Sequence, residues 1–144
     1  MGKRILVPVD GSSPARSAVE YACEQFHDGS IVLMYVMNPL ADLSRNQAFP
    51  GYSQDDEFRN EREKAEYVLE SLRDEIPDTV SVETEVWAGD PARTILQYTD
   101  NNDVDQIVIG SHGRKGAARV LLGSVAETVI RRSRVPVTVV RSRT

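Results

Sequence analysis

The chain has little sulfur and few aromatic rings: one cysteine in 144 residues, and 6% Phe, Trp and Tyr together. A single thiol cannot close an internal disulfide, and the place of Cys23 in an apolar helical pattern reads as a buried thiol rather than a nucleophile. Long apolar runs are also missing. None approaches the roughly 20 residues that cross a bilayer, and Ile5 to Val9, although preceded by Lys3 and Arg4, is too short for a signal-peptide core. A surplus of basic charge is absent as well. The formal net charge is −5, which argues against a large nucleic-acid footprint. The expectation is therefore a cytoplasmic chain with no membrane span, no disulfide framework and no nucleic-acid partner.

What is present is an ordinary globular composition, 40% apolar and 27% charged, at a length that suits one domain spanning 1–144. Arg4 to Val9 is a nearly continuous apolar run, as expected of a strand buried on both faces. Gly11-Ser12-Ser13-Pro14 then supplies a turn, a hydroxyl cap and a proline for a helix whose apolar face repeats through Ala15, Ala18, Val19, Ala22 and Phe26. Ser30 to Val36 reads as a second buried strand, ending near Asn38-Pro39. From Asn38 to Glu57 no period of either kind is sustained, so this stretch is expected to be a flexible insertion, either a mobile lid or a disordered segment. Phe58, Ala65, Val68, Leu69, Leu72 and Ile76 mark one face of a long helix that stops at Pro77. Val80, Val82, Thr84 and Val86 alternate with polar residues, the pattern of a strand near a sheet edge. Asp90-Pro91 opens another helix, Val104 to Ile109 forms a fourth strand, and Val125 to about Arg132 forms a last helix. Val135 to Val140 is the final strand, and Pro136, which has no N–H, places it at an edge. Strands alternating with helices in this way predict an α/β fold, a parallel sheet covered on both faces.

The informative segment runs from Gly110 to Ser124, directly after a buried strand and directly before a helix. It contains Gly110, Gly113 and Gly123 in the spacing Gly-x2-Gly-x9-Gly-Ser, with Arg114, Lys115 and Arg119 and no acid. A phosphate needs several backbone N–H donors close at hand. Residues without a Cβ allow that approach and take the positive φ angles such a loop requires. Gly123-Ser124 opens the last helix, whose unpaired N–H groups and dipole favour an anion. Ser124 followed by Glu127 is also a capping box, so the serine has a structural reading beside the functional one.

This pattern, with the opening Ile-Leu-Val-Pro-Val-Asp-Gly-Ser from Ile5 to Ser12, the turn Gly89-Asp90-Pro91 and the ending Val-Pro-Val-Thr-Val-Val, resembles the universal stress protein family over essentially the whole chain. The resemblance implies an open five-stranded parallel sheet in the order 3-2-1-4-5, a Rossmann-like fold of the adenine nucleotide alpha hydrolase type, and homodimers. For members carrying this glycine pattern it also implies ATP binding, with AMP or ADP as related ligands. It places the phosphates and ribose on Gly110, Gly113, Gly123 and Ser124, and the base region at Asp10 and Val36, the ends of the first two strands. Ser111, His112, Arg114 and Val125 adjoin the motif as further candidates. In that strand order, the crevice beyond strands one and four is a topological switch point, the usual ligand site of open α/β sheets.

Asp10 has two readings. It forms the turn before Gly11, or it helps hold Mg²⁺ or Mn²⁺ together with the phosphates, since such ions take one or two carboxylates plus phosphate oxygens. A loop histidine such as His112 is more often solvated than catalytic. The parts of dedicated nucleotide enzymes are missing: there is no Gly-x4-Gly-Lys-[Ser/Thr] and no Gly-x-Gly-x2-Gly after the first strand. Nor is there the Ser-Gly-Gly-x-Asp-Ser loop of the related ATP pyrophosphatases, since the sequence there reads Val9-Asp10-Gly11-Ser12-Ser13. No catalytic residue is assigned. The expectation is a nucleotide-dependent regulatory protein, with slow ATP hydrolysis or a nucleotide-independent dimer as alternatives. The apolar edge strand Val135 to Val140 is the expected homodimer contact.

Overall fold

A computed structural model describes residues 2–38, 54–111 and 123–142. Strands and helices alternate along the chain: β1 (Arg4–Val9), α1 (Ser13–Gln25), β2 (Ser30–Met37), α2 (Gln54–Glu75), β3 (Ser81–Ala88), α3 (Pro91–Asn101), β4 (Gln106–Gly110), α4 (Ser124–Arg132) and β5 (Val137–Val140). The five strands form one sheet in the order β3-β2-β1-β4-β5, with every neighbouring pair parallel. This is the open, Rossmann-like arrangement expected of the fold.

Burial explains why the inner strands read as unbroken apolar runs. Alternate residues of each serve two cores. Ile5, Val7, Ile31, Leu33 and Val108 pack with Ala18, Val19 and Ala22 of α1 and with Ala65, Leu69 and Leu72 of α2. On the other face, Leu6, Val32, Met34, Ile107 and Ile109 pack with Ile95 and Tyr98 of α3 and with Ala126 and Val129 of α4. A strand apolar on only one face could not satisfy both layers.

Local chemistry starts the helices where the sequence indicates. The Ser12 hydroxyl caps α1 by accepting from the Ala15 N–H at 3.3 Å, after a turn in which Gly11 has φ +85°. The Asp90 carboxylate caps α3 by accepting from the Arg93 N–H at 3.0 Å, with Pro91 in the first turn.

Several boundaries differ from the sequence reading. The long helix α2 begins at Gln54 rather than Phe58, so the last residues of the stretch read as an insertion are helical. Asp55, Asp56 and Glu57 fall in its first turn. The rest of that stretch, 39–53, lies outside the described residues. β4 begins at Gln106, because Val104 is used in the core at the end of the preceding turn. β5 begins at Val137 rather than Val135. The Val135 N–H is taken by the Ser133 hydroxyl at 3.1 Å, and Pro136 contributes only its carbonyl, which accepts from Ile107.

The ladder between β1 and β4 positions the site. β1 pairs with β2 from Arg4 to Val9, but with β4 only at Ile5–Gln106 and Leu6–Ile107. Pro8, which has no N–H to donate, lies beyond the last of those pairs. The carboxyl ends of these two central strands are thus free of each other, and the chain leaves them toward opposite sides of the sheet.

Candidate functional site

A cleft of about 120 Å³, open to solvent, lies at this point. Pro8, Val9 and Asp10 come to it from β1, Met34 and Val36 from β2, and Ile109 and Gly110 from β4. Pro91 and Ile95 of α3 and Val125 and Ala126 of α4 form its outer wall, and Ser12 and Ala15 close it beside the first turn of α1. The wall is mostly apolar. Its one titratable side chain among the described residues is Asp10.

Four residues singled out in the sequence therefore meet in one cleft: Asp10, Val36, Gly110 and Val125. Gly123 and Ser124 immediately precede Val125 at the start of α4. His112, Gly113 and Arg114 lie outside the described residues.

The site corrects the reasons given for two of these positions, Gly110 and Ser124. Gly110 does not take a positive φ; among the described glycines only Gly11 and Gly89 do. Its need for a missing side chain comes from packing. A Cβ there would lie 2.4 Å from the carbonyl carbon of Pro14 and 2.8 Å from the nitrogen of Ala15, so β4 could not end against the first turn of α1.

Ser124 is not a helix cap. Gly123 holds that position in an extended conformation, and no side chain caps α4. The partner expected of a capping box, Glu127, instead pairs with Arg131 at 2.6 Å. Ser124 is the first helical residue and is exposed, so among the described residues no side chain caps the first-turn N–H groups of α4 beside the cleft. Ser111 is buried, and its N–H is committed to the sheet, donating to the Val140 carbonyl at 2.9 Å. It is not a free donor for an anion.

The turn reading of Asp10 is seen directly: its Oδ1 accepts from the Ser12 N–H at 2.9 Å. No group of three His, Cys, Asp or Glu side chains among the described residues could hold a metal ion. A divalent cation here would need oxygens from the ligand to complete its shell.

The sequence reading did not single out Pro8, Met34, Pro91, Ile95 or Ala126 as site residues. Their positions carried a usable signal, since all lie at or near strand carboxyl ends or in the first turns of α3 and α4, where a switch-point cleft forms. Away from the cleft, Cys23 is half-buried between α1 and α2, and burial pushes its thiol up, with the Glu24 charge adding to the effect. That agrees with an inert thiol.

The sheet order and the cleft define an open, doubly wound α/β protein with a cleft at the switch point of its sheet. Comparison with known proteins gives the family. The universal stress protein family profile matches residues 1–141, and the chain belongs to that family. The universal stress protein MJ0531 of Methanocaldococcus jannaschii is 31% identical over 144 residues, covering 96% of this chain and 82% of that protein. MJ0577 of the same organism is 30% identical over 156 residues, covering 98% and 96%. Its solved structure superposes with a TM-score of 0.79 over 100% of this chain and 99% of that one. A family protein from Arabidopsis thaliana, solved with AMP bound, shares the fold at 20% identity and a TM-score of 0.72, covering 99% of this chain and 93% of that one.

Proposed function

We propose that this protein binds an adenine nucleotide, ATP, in the switch-point cleft and acts as a nucleotide-dependent regulator in the stress response rather than as a dedicated catalyst. The observation that carries this reading is the pairing, in one cleft, of two different surfaces. Pro8, Met34, Val36 and Ile95 offer an apolar wall suited to a flat base. The uncapped amino end of α4, next to Gly110, offers N–H donors and a helix dipole suited to phosphate. The Arabidopsis thaliana protein, which has this fold, was solved with AMP bound, so the architecture can take such a ligand.

In this reading the loop with His112, Gly113 and Arg114 completes the phosphate site, and Asp10 shares a Mg²⁺ or Mn²⁺ ion with the phosphates. That ion would supply charge neutralisation. Asp10 itself would keep its hydrogen bond to the Ser12 N–H. A general base must lie within hydrogen-bond reach of its proton, directly or through one water. Asp10 is the one titratable side chain on the described wall, so hydrolysis is expected to be slow.

The test is to denature freshly purified protein and identify any released nucleotide by chromatography, then to titrate the stripped protein with ATP and Mg²⁺ calorimetrically. Co-purified ATP or micromolar binding is the expected result. Gly113→Val should abolish it without changing the circular dichroism spectrum. Absence of both nucleotide and binding would move the function to a nucleotide-independent dimer.

We also propose a homodimer through β5. Among the described residues no strand pairs with the outer side of β3 or β5, and these two edges differ in charge. β3 presents Glu83 and Glu85, which would face like charges in a second copy, whereas Val137–Val140 is half-exposed and uncharged.

A further inference from the structure

β5 pairs with β4 from Ile107–Val137 to Gly110–Val140, so the two strands end level with each other at the cleft. Arg141 is the first residue past that end. Its side of the sheet follows from its neighbours. Val140 packs with the α1 core, and the Ser142 hydroxyl lies 3.0 Å from that of Ser13 on α1. Val139 packs with the opposite core, among Val125 and Ala126 of α4. The alternation therefore continues through Ser142 and puts Arg141 on the α4 face, at the level where Gly110 and the start of α4 border the cleft.

Arg141 is exposed and makes no ion pair among the described residues. Other arginines are differently placed. Arg16 is paired with Glu75, Arg131 with Glu127, and Arg132 and Arg134 lie at the opposite end of α4. Among the described residues two exposed guanidinium groups without an ion pair lie near the cleft, Arg93 in the first turn of α3 and Arg141 past the end of β5, and only Arg141 is on the side of Gly110 and the start of α4.

We propose that Arg141, brought to the cleft mouth by the β4–β5 register, binds the distal phosphates of a nucleoside polyphosphate and makes the site prefer it over a monophosphate. A guanidinium suits this task because its planar fork can donate two parallel hydrogen bonds to one phosphate group. The inference rests on the nucleotide reading of the cleft.

The experiment is calorimetric titration of the whole chain with ATP and with AMP, for the wild type and for Arg141→Gln, Arg141→Lys and Arg134→Gln. Arg141→Gln is expected to weaken ATP about fivefold, the scale of one exposed charge pair, and AMP less than about twofold. Arg141→Lys should retain part of the ATP affinity, Arg134→Gln all of it, and the Arg141→Gln effect should shrink with added salt. Thermal melts of the variants should coincide with the wild type, since the side chain is exposed. Equal losses for ATP and AMP, or no loss, would overturn the role of Arg141 while leaving the cleft a nucleotide site. A wild type that binds neither ligand would overturn both readings together.

Discussion

Gly110 and Ser124 show how one residue can carry two explanations that only the surrounding atoms separate. Gly110 borders the cleft, and it also packs against the backbone of Pro14 and Ala15 with no room for a methyl group. Gly110→Ala is therefore expected to lower stability by about 1–3 kcal/mol through overpacking, seen as a lower urea midpoint with no ligand present. An unchanged midpoint would mean that α1 can move aside and that Gly110 is free to serve the ligand alone. Ser124 gives the opposite expectation. As the first helical residue rather than the cap, its replacement by Ala should leave stability within about 0.5 kcal/mol while weakening ATP. A loss of about 1 kcal/mol or more on melting would restore the capping role that the structure denies it.

At the scale of elements, what could be read from the chain depended on whether the signal was local. The strands β1 and β2 were legible because burial on both faces leaves a nearly continuous apolar run after their first residues, Arg4 and Ser30, and the starts of α1 and α3 because Ser12-Ser13-Pro14 and Asp90-Pro91 carry their own capping chemistry. Asp90→Ala should accordingly cost about 1 kcal/mol, and a thermal shift smaller than that of a neutral surface variant would show α3 to be held by packing alone. The first turn of α2 was not legible, since Gln54 to Glu57 has no apolar face and acquires its helical state from the helix that follows. The start of β5 was misread because Val135 and Val137 look alike in sequence; the Ser133 hydroxyl, which takes the Val135 N–H, decides between them. The packing role of Gly110 could not be read at all. It depends on α1, whose first turn is nearly a hundred positions away along the chain.

For the whole molecule, the family resemblance supplied a strand order that periodicity alone did not, and that order has a consequence beyond the cleft. It leaves two edges of unlike character, an eight-residue β3 and a four-residue β5. On β3, Glu83 pairs with Arg4 and Glu85 adds a second acid, while Trp87, half-exposed, meets Tyr98 of α3 edge-on with 6.0 Å between centroids. β5 has no charged residue between Arg134 and Arg141, and Ile130 of the adjoining helix is exposed as well. Apolar surface of this kind at an unpaired edge favours association with the same edge of a second copy. Light scattering should give twice the chain mass of 16.0 kDa. Added salt should not dissociate the pair, because apolar contact rather than ion pairing holds it. Val137→Lys, which sets a charge in the half-exposed strand, should return the mass to that of one chain with an unchanged far-ultraviolet spectrum. A wild type of single-chain mass across working concentrations would refute the dimer. A Val137→Lys variant that remains dimeric would move the contact to another face of the molecule.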